Sequence, residues 1–354
     1  MASQENEKSR STPLTQWLLR MLSILAWLVT FAAILWSFGA LYFHPLLPAL
    51  LQTILSIGFL VAVGLFAWRI KGSWKKRLAI WGLIVPVYLS WLAIRPNLDR
   101  EWYPLHEKVA SIQINDNQVK ITDVRHATYQ SETEFKVRYQ TRRFHLDQLE
   151  EVWFFVQRFT ALNSLAHTYL AFGVRTEKGM EYFGVSVEIR SEPDEIYSPT
   201  RGLYKQYELM YTISDERDSI GYRTHVRRND RVYMYRCNAT PKQVQAMFRD
   251  VAQRVKKLEE QPEFYHTFFN NCTNNIVSHA NRQVEKPLHH YDPRIVFPGF
   301  SARTAYHLGI IGDEGESFQQ LQARSRMDEI ARTLELNEDF STKLRQALKE
   351  NRND

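Results

Sequence analysis

The sequence predicts an α+β protein that begins with three transmembrane helices and continues as a polar domain with strands first and helices last. Three observations predict this fold class. There is no charged residue between Arg20 and Arg69. Short aromatic and β-branched segments fill the middle of the chain, and polar segments with helical spacing follow them. Two cysteines in 354 residues exclude a disulfide scaffold and a cysteine-rich zinc module.

The net charge of +6 belongs to the N-terminal part of the chain. Residues 1–94 contain eight Lys and Arg residues and only two Asp and Glu residues, so the rest of the chain is neutral. The polar domain therefore has no basic field that would attract a polyanion, and we expect no nucleic-acid partner.

A membrane anchor is predicted at residues 1–96. Met21–Phe43 and Pro45–Trp68 are each long enough to cross a hydrocarbon core of roughly 30 Å, and Leu78–Ile94 adds a shorter third span. Basic residues precede the first span and occur again in the connection between the second and third spans. This distribution predicts a multi-pass membrane protein with a cytoplasmic N-terminus and its polar domain on the outer face, which in the inner membrane of a bacterial cell would be the periplasm or the cell exterior. A cleaved signal peptide is the alternative for the first span, but its apolar run is too long and two more spans follow.

The periplasmic domain is predicted at residues 97–312. A hairpin is expected within Ala110–Tyr129, with its turn at Asn115-Asp116-Asn117. The other predicted strands are short, aromatic or β-branched, and bounded by turn residues: Phe135–Tyr139, Leu165–Val174, Tyr182–Arg190, Tyr207–Ile213 and Arg231–Cys237.

Helices are predicted towards the C-terminus. Thr240-Pro241 is typical of a helix start, and apolar residues recur at helical spacing as far as Leu258. A C-terminal segment of polar amphipathic helices is predicted at 313–354, from about Ser317 onward. A metal site at His289-His290-Asp292 is an alternative with little support, because adjacent histidines in an extended chain point in opposite directions. We therefore expect no metal and no cofactor.

The first candidate site surrounds Cys272. Asn271 is a cap-forming residue that follows an aromatic run, so a helix is expected to begin at Cys272. The free N–H groups and positive dipole end of a helix N-terminus stabilise a thiolate and can receive an oxyanion. The alternatives are that Cys272 is a small buried hydrophobe or pairs with Cys237; we expect a free thiol and a dispensable Cys237. Asn271 places its amide in the oxyanion hole or caps the helix, and capping is favoured.

The second candidate site lies on a predicted hairpin. If Thr176-Glu177-Lys178-Gly179 forms the turn, His167 lies opposite Glu188, and a shifted register places it opposite Ser186. One face of the hairpin is then expected to be core, and the other to present His167 beside a carboxylate that can orient its ring. The alternative is a histidine with a purely structural role.

Together these motifs resemble known enzymes. A strand histidine with a polar partner on the next strand, and Asn271-Cys272 about 100 residues later, resemble the order of circularly permuted papain-like (NlpC/P60-type) enzymes. The runs SLAHTYLAFG, VSVEIRSE, YSPTRGLYKQYELMYTISDERD and FYHTFFNNCTNNI resemble the Lnb N-terminal periplasmic domain family. This resemblance covers about Asn97 to Gly312.

The resemblance implies a permuted papain-like domain with the activity of a bacterial lipoprotein N-acyltransferase. An acyl chain would pass from a phospholipid, through a thioester on Cys272, to the α-amino group of the lipidated N-terminal cysteine of a diacylglyceryl lipoprotein. His167 would act as base and Glu188 would orient it, with Asn271, Ser186 and Thr273 as oxyanion or supporting groups. The implied partners are the phospholipid donor, the lipoprotein acceptor and the membrane.

The sequence also leaves other interpretations open. Tyr207, Glu208, Arg217 and Asp218 match the tyrosine-rich segment of the family and hold either a phosphate or the fold, with the structural role as the default. A cysteine peptidase or amidase that acts on cell-wall peptides would use the same two residues in an open polar groove. A non-catalytic envelope scaffold would keep the fold without needing the thiol.

Overall fold

The computed structural model describes residues 13–159, 164–284, 287–289 and 292–350. Contacts divide the chain into two compact units. The first contains Met1–Arg95 with Tyr204–Gln206, and the second contains Pro96–Leu203 with Tyr207–Asp354.

The first unit contains three helices, α1 (Pro13–Tyr42), α2 (Ala49–Arg69) and α3 (Ser73–Ala93). By length and composition, each could cross a membrane. Two helices begin earlier than the predicted spans, since α1 includes the polar residues before Met21 and α3 includes the basic cluster before Leu78. By contrast, α2 begins only after the prolines of the connection, which cannot donate a helical N–H bond.

A short segment from elsewhere in the sequence packs within this first unit. The ammonium group of Lys205 donates to the backbone carbonyls of Trp91 at 3.0 Å and Ile94 at 3.1 Å. The ring of Tyr204 stacks on Phe43, with 5.4 Å between the ring centroids. These contacts are the reason that Tyr204–Gln206 belongs to the first unit.

The second unit is built on one mixed sheet of eight strands, in the order β1-β2-β7-β6-β5-β4-β8 with β3 paired to β2. All neighbouring strands are antiparallel except β2 and β7, which are parallel. The strands are β1 (Ser111–Asn115), β2 (Gln118–Tyr129), β3 (Phe135–His145), β4 (Leu149–Arg158), β5 (Ala166–Thr176), β6 (Gly179–Arg190), β7 (Glu208–Asp215) and β8 (Arg231–Arg236).

Eight helices accompany this sheet in the described part of the chain. They are α4 (Glu216–Gly221), α5 (Pro241–Glu260), α6 (Cys272–Asn281), α7 (Pro293–Val296), α8 (Ser301–His307), α9 (Phe318–Arg324), α10 (Asp328–Thr333) and α11 (Phe340–Glu350). A π-helical turn, Tyr222–Val226, continues from α4. The α+β class predicted from the sequence is confirmed.

The predicted hairpins are confirmed in detail. The first turns at Asp116, whose φ of 51° suits the asparagine and aspartate of this tight turn. In the second, Arg175 pairs with Met180 and Tyr169 with Ser186, which is the register expected from the turn residues. The predicted cap at Thr240 is also present, since its hydroxyl accepts from the backbone N–H of Gln243.

One strand was not predicted. β4 lies between β5 and β8, and most of its side chains are buried. Its apolar run VWFFV lacks the alternation that marks a strand with one face in water, so periodicity does not identify it.

The expectation of a single core face on the hairpin is wrong. One face of the sheet packs under α5, α6 and α8, in a core that includes Leu170 and Phe183. The opposite face is also buried, because C-terminal residues such as Met327 and Phe340 pack on Tyr169 and its neighbours. The C-terminal helices thereby cover much of the face that His167 shares, while the side chain of His167, at the start of β5, keeps 13% of its surface exposed.

Candidate active site

Cys272 is the first residue of α6, as its sequence context predicts. Asn271 precedes the helix with an extended backbone, and its side chain accepts from the backbone N–H of Asn274 at 2.9 Å. The side chain of Asn274 in turn accepts from the backbone N–H of Asn271 at 3.2 Å, which completes a capping box. The thiol is buried, with the residue 4% exposed, and it lies at the positive end of the helix dipole.

His167 is brought to this thiol from the start of β5. Each of the two side chains shifts the pKa of the other, and Thr168, the next residue of β5, also lowers the pKa of the thiol. The ring Nε2 of His167 is 2.7 Å from Ser186 Oγ and 3.2 Å from Glu188 Oε1. Because Nε2 is occupied in this way, Nδ1 is the ring nitrogen available to the thiol.

Ser186 and Glu188 act on the ring as a chain. The hydroxyl of Ser186 donates to Glu188 Oε1 at 2.6 Å, so the serine links the carboxylate to the ring while the carboxylate also contacts it directly. Both positions follow from the register of the β5–β6 hairpin, in which alternate residues of β6 share a face. Of the two registers that the sequence left open, the structure has the one set by the four turn residues, and within it both Ser186 and Glu188 contact the ring of His167.

Arg223 completes this polar cluster, and sequence reasoning missed it. Its Nη2 donates to Glu188 Oε1 at 2.8 Å, and its guanidinium lies 4.5 Å above the ring of Tyr169. The residue belongs to the π-helical turn after α4 and is almost completely buried. A single arginine among 45 basic residues gives no local signal that it will contact the carboxylate of Glu188.

The charges of these groups shift one another's pKa values. Burial alone would raise the pKa of Cys272, but the charge and hydrogen bond of His167 and the bonds from Thr168 lower it to about 7. Burial would lower the pKa of His167, but Glu188 and Cys272 raise it to about 9. The pKa of Glu188 is held well below its usual range by His167 and Arg223, against the effect of burial. At a pH between about 7 and about 9, the arrangement therefore favours a Cys272 thiolate paired with a His167 imidazolium.

The oxyanion and supporting groups are placed as follows. Both functional atoms of the Asn271 side chain are engaged, since Nδ2 donates to the Thr267 carbonyl at 2.7 Å while Oδ1 caps the helix. This is the capping role. The backbone N–H of Cys272 has no carbonyl partner within the helix, as for the first residue of any α-helix, so it can receive an oxyanion. Thr273 Oγ1 lies 3.0 Å from the hydroxyl of Thr168 and 3.8 Å from the thiol sulfur.

Both cysteines are free thiols. Cys237 follows β8, and burial raises its pKa to about 12. A disulfide between the two is thus not present, and only Cys272 lies among groups that lower a thiol pKa.

The described residues contain no group of three or more His, Cys, Asp and Glu side chains that could hold a metal ion. His290, the central residue of the alternative metal motif, lies outside the described residues.

The tyrosine-rich segment has structural contacts. The hydroxyl of Tyr207 donates to the carbonyl of Ile196 at 2.9 Å, and Glu208 accepts from the backbone N–H of Asn97 at 3.0 Å. Arg217 pairs with Asp215, the residue that caps α4, at 2.9 Å. These three residues therefore hold loops and a helix start.

Asp218 is the most connected member of that segment. Its fully buried carboxylate accepts two bonds from the Arg125 guanidinium at 2.9 and 3.0 Å, one from the backbone N–H of Ala127 at 2.9 Å and one from the Tyr129 hydroxyl at 2.8 Å. It fixes α4 against β2, and through α4 the turn that carries Arg223.

We expect Asp218→Ala to destabilise the second unit by about 3–5 kcal/mol, because it leaves the buried Arg125 without a counter-charge. Thermal unfolding of the full chain in detergent, followed by intrinsic fluorescence, measures this loss. Asp339→Ala is the control, since Asp339 pairs with Lys343 on an exposed surface at 3.7 Å and should change the unfolding transition little. Equal effects of the two variants would contradict a structural role for Asp218.

Comparison with protein-family models gives one match. Residues 135–299 match the model of the Lnb N-terminal periplasmic domain. These residues belong to that family. The match contains His167, Ser186, Glu188, Arg223 and Cys272, so the Lnb-type domain includes the whole polar cluster around the thiol. No curated protein and no solved structure matches the chain.

In this Lnb-type domain we expect Glu188→Gln to reduce any Cys272-dependent turnover by about 10–100-fold, because it keeps a hydrogen-bond acceptor but loses the charge that stabilises the imidazolium. Ser186→Ala should cost less, since Glu188 Oε1 already lies 3.2 Å from the ring. Initial rates of that turnover measure both effects. Glu132→Gln, at an exposed ion pair with Arg227, is the matched control. A larger loss in Ser186→Ala than in Glu188→Gln would assign the orienting role to the serine.

Proposed function

We propose that this membrane-associated, Lnb-type protein is a lipoprotein N-acyltransferase of the Cys-His-Glu type. The observation that carries the proposal is the pairing of the buried Cys272 at the start of α6 with His167 at the start of β5, with Glu188 3.2 Å from the ring. A lowered thiol pKa beside a raised imidazole pKa is the state that nucleophilic cysteines need. The order of these groups along the chain, with His167 before Cys272, also supports a circularly permuted papain-like (NlpC/P60-type) arrangement.

In the first half-reaction, the thiolate of Cys272 attacks the carbonyl carbon of a phospholipid ester. A carbon–sulfur bond forms, the negative charge collects on the carbonyl oxygen, and the backbone N–H of Cys272 stabilises it. The carbon–oxygen bond then breaks, and the imidazolium of His167 gives its proton to the leaving alkoxide. The products are a thioester on Cys272 and a lysophospholipid.

In the second half-reaction, the α-amino group of a diacylglyceryl lipoprotein attacks the thioester. The carbon–nitrogen bond forms and the carbon–sulfur bond breaks, while neutral His167 takes a proton from the amine. Thiolate and imidazolium are thereby restored. The net reaction converts an ester and an amine into an amide and an alcohol, and it needs no cofactor or metal.

The surroundings of the thiol favour an apolar substrate over a cell-wall peptide. Tyr197 and Tyr265 lie close enough that the charge of Cys272 adds to burial in raising the pKa of each hydroxyl. Nearby in sequence, Ile196 is 82% exposed, Phe268 41% and Phe269 51%. Phe268 and Phe269 lie side by side, with 6.3 Å between their ring centroids, and adjoining exposed apolar side chains suit a lipid surface, whereas a peptidase acting on polar cell-wall peptides would present a polar groove.

The anchor suits the proposed substrates. We place the three apolar helices in a bacterial inner membrane, with the N-terminus in the cytoplasm and the Lnb-type domain in the periplasm, on the distribution of basic residues. A phospholipid and a lipoprotein are both held in the outer leaflet of that membrane. Tethering the enzyme to the same surface raises the effective concentration of both substrates.

Mass spectrometry of lipoprotein N-termini tests the proposal. Cells that lack any other N-acyltransferase would express the wild-type chain or Cys272→Ala. Wild-type cells should carry an amide-linked acyl chain on the N-terminal cysteine, and variant cells a free amine. Free amines in both strains would refute the proposal. Loss of cell-wall peptide cross-links only in the wild type would support a peptidase instead.

A further inference from the structure

An apolar cavity of about 180 Å³ lies in the second unit beside the helix that carries Cys272. Phe154 of β4 and Leu170 of β5 form part of its floor. Ile276 and Ala280 of α6 form one wall, and Ala305 of α8 faces it from another. All of these side chains belong to the second unit.

Most polar side chains at this cavity already have partners within the protein. The side chain of Asn281 bonds the backbone of Leu288 twice, at 2.8 and 2.9 Å. The amide of Asn238 donates to a backbone carbonyl at 2.7 Å, and the hydroxyl of Ser301 does so at 2.6 Å. A water molecule in a buried cavity needs two to four polar partners, so this lining favours an apolar occupant.

Thr273 separates the cavity from the nucleophile. Its side chain lines the cavity, while its Oγ1 lies 3.8 Å from the sulfur of Cys272 and 3.0 Å from the hydroxyl of Thr168. An apolar group attached to the sulfur is therefore one side chain away from an apolar space. For the apolar group to enter the cavity, the contact between the hydroxyls of Thr168 and Thr273 must break.

We propose that this cavity binds the hydrocarbon chain of the acyl group carried by Cys272 and thereby selects its length. The cavity is partly open to the surface, so a chain can enter it, and an engineered apolar cavity of about 150 Å³ takes up small hydrocarbons. The identity of the acyl donor as a phospholipid rests on the proposed function, whereas the cavity can be tested with simpler esters.

The first test uses p-nitrophenyl esters of acetate, butyrate, octanoate and laurate on the full chain in detergent. The sulfur of Cys272 bonds the acyl carbon and p-nitrophenolate leaves, which gives a direct rate. Acylation should accelerate about two- to fourfold for each added methylene until the cavity is full, and then level off. Ala280→Leu and Ala305→Leu should move that limit to chains about three methylenes shorter, because each adds three carbon atoms to the lining.

Ala323→Leu is the matched control, since Ala323 is exposed on α9 and its variant should keep the wild-type length profile. A rate that does not depend on chain length, or a limit that stays the same in the two lining variants, would overturn the proposal. A shift of the limit in the lining variants alone would support it.

The second test does not depend on activity. Octanoic acid with a terminal diazirine would be photolysed with the Cys272→Ser full chain, and the labelled peptides sequenced. We expect label on peptides of α6 and α8 and at least a severalfold loss of that label in Cys272→Ser combined with Ala280→Leu. Label confined to α1, α2 and α3 would overturn the proposal.

The two proposals fail in different ways. If the esters show the length limit but lipoprotein N-termini stay free, the cavity stands and the N-acyltransferase function falls. If lipoproteins are N-acylated but the length profile is flat and the photoprobe labels only the membrane helices, the function stands and the cavity assignment falls.

Discussion

Cys272→Ser and His167→Ala are each expected to reduce lipoprotein N-acylation by about 10³-fold or more. Without the thiol no thioester forms at the normal rate, and without the imidazole the leaving alkoxide receives no proton. The double variant should be no worse than either single variant, because the two residues act in one step. Initial rates with a purified diacylglyceryl lipopeptide and phospholipid vesicles measure these losses.

Cys237→Ser is the matched control for the thiol. Cys237 follows β8, and burial raises its pKa to about 12, so it is a neutral thiol at the pH of the assay. We expect its variant to retain wild-type activity. Full activity of Cys272→Ala would refute the covalent mechanism. A loss in Cys237→Ser as large as that in Cys272→Ser would show that the loss does not depend on the nucleophile.

Local sequence signals were sufficient to place each half of the site. The capping residues Asn271 and Asn274 fix where α6 begins, and so fix the position of Cys272 on it. The turn between β5 and β6 fixes the register, and so determines which residues of β6 share a face with His167. Caps and tight turns depend on neighbouring residues, which is why their outcome can be derived from a single sequence.

The meeting of the two halves could not be derived in this way. His167 and Cys272 lie on different elements, and their contact depends on how α6 packs on β5. Resemblance to a family supplied that pairing. Arg223 is the clearest residue that the sequence analysis missed, because its contact with Glu188 depends on a π-helical turn that no residue pattern predicts.

Burial on both faces accounts for the other differences. β4 is an interior strand with few water-facing positions, so its sequence lacks alternation. The hairpin face that carries His167 looks exposed in the hairpin alone, and it is covered only when the C-terminal residues around Phe340 pack on it. Such long-range packing leaves no trace in the local spacing of apolar residues.

The pH dependence of Cys272 alkylation should reveal the ion pair with His167. Since His167 lowers the pKa of Cys272 to about 7 from an ordinary value of 9.0, labelling by iodoacetamide should rise through pH 7 in the wild type. Removing the imidazolium in His167→Ala leaves only Thr168 to oppose burial, which raises the thiol pKa. At pH 7 the thiolate fraction should then fall from about one half to about one hundredth or less. The alkylation rate of Cys272 at each pH is measured by quenching the reaction at fixed times and quantifying the labelled peptide by mass spectrometry.

The pH profile of acyl transfer should have a descending limb at high pH, which the pH profile of alkylation lacks. The imidazolium of His167 must protonate the leaving group, and because Glu188 and Cys272 raise its pKa to about 9, transfer should decline above that pH while alkylation continues. The two limbs belong to the pair as a unit. Cys237 in the same chain is the internal control, because its raised pKa keeps it unlabelled throughout this range. A wild-type alkylation midpoint at or above 9 would mean a neutral thiol, and the ion pair would have to be abandoned.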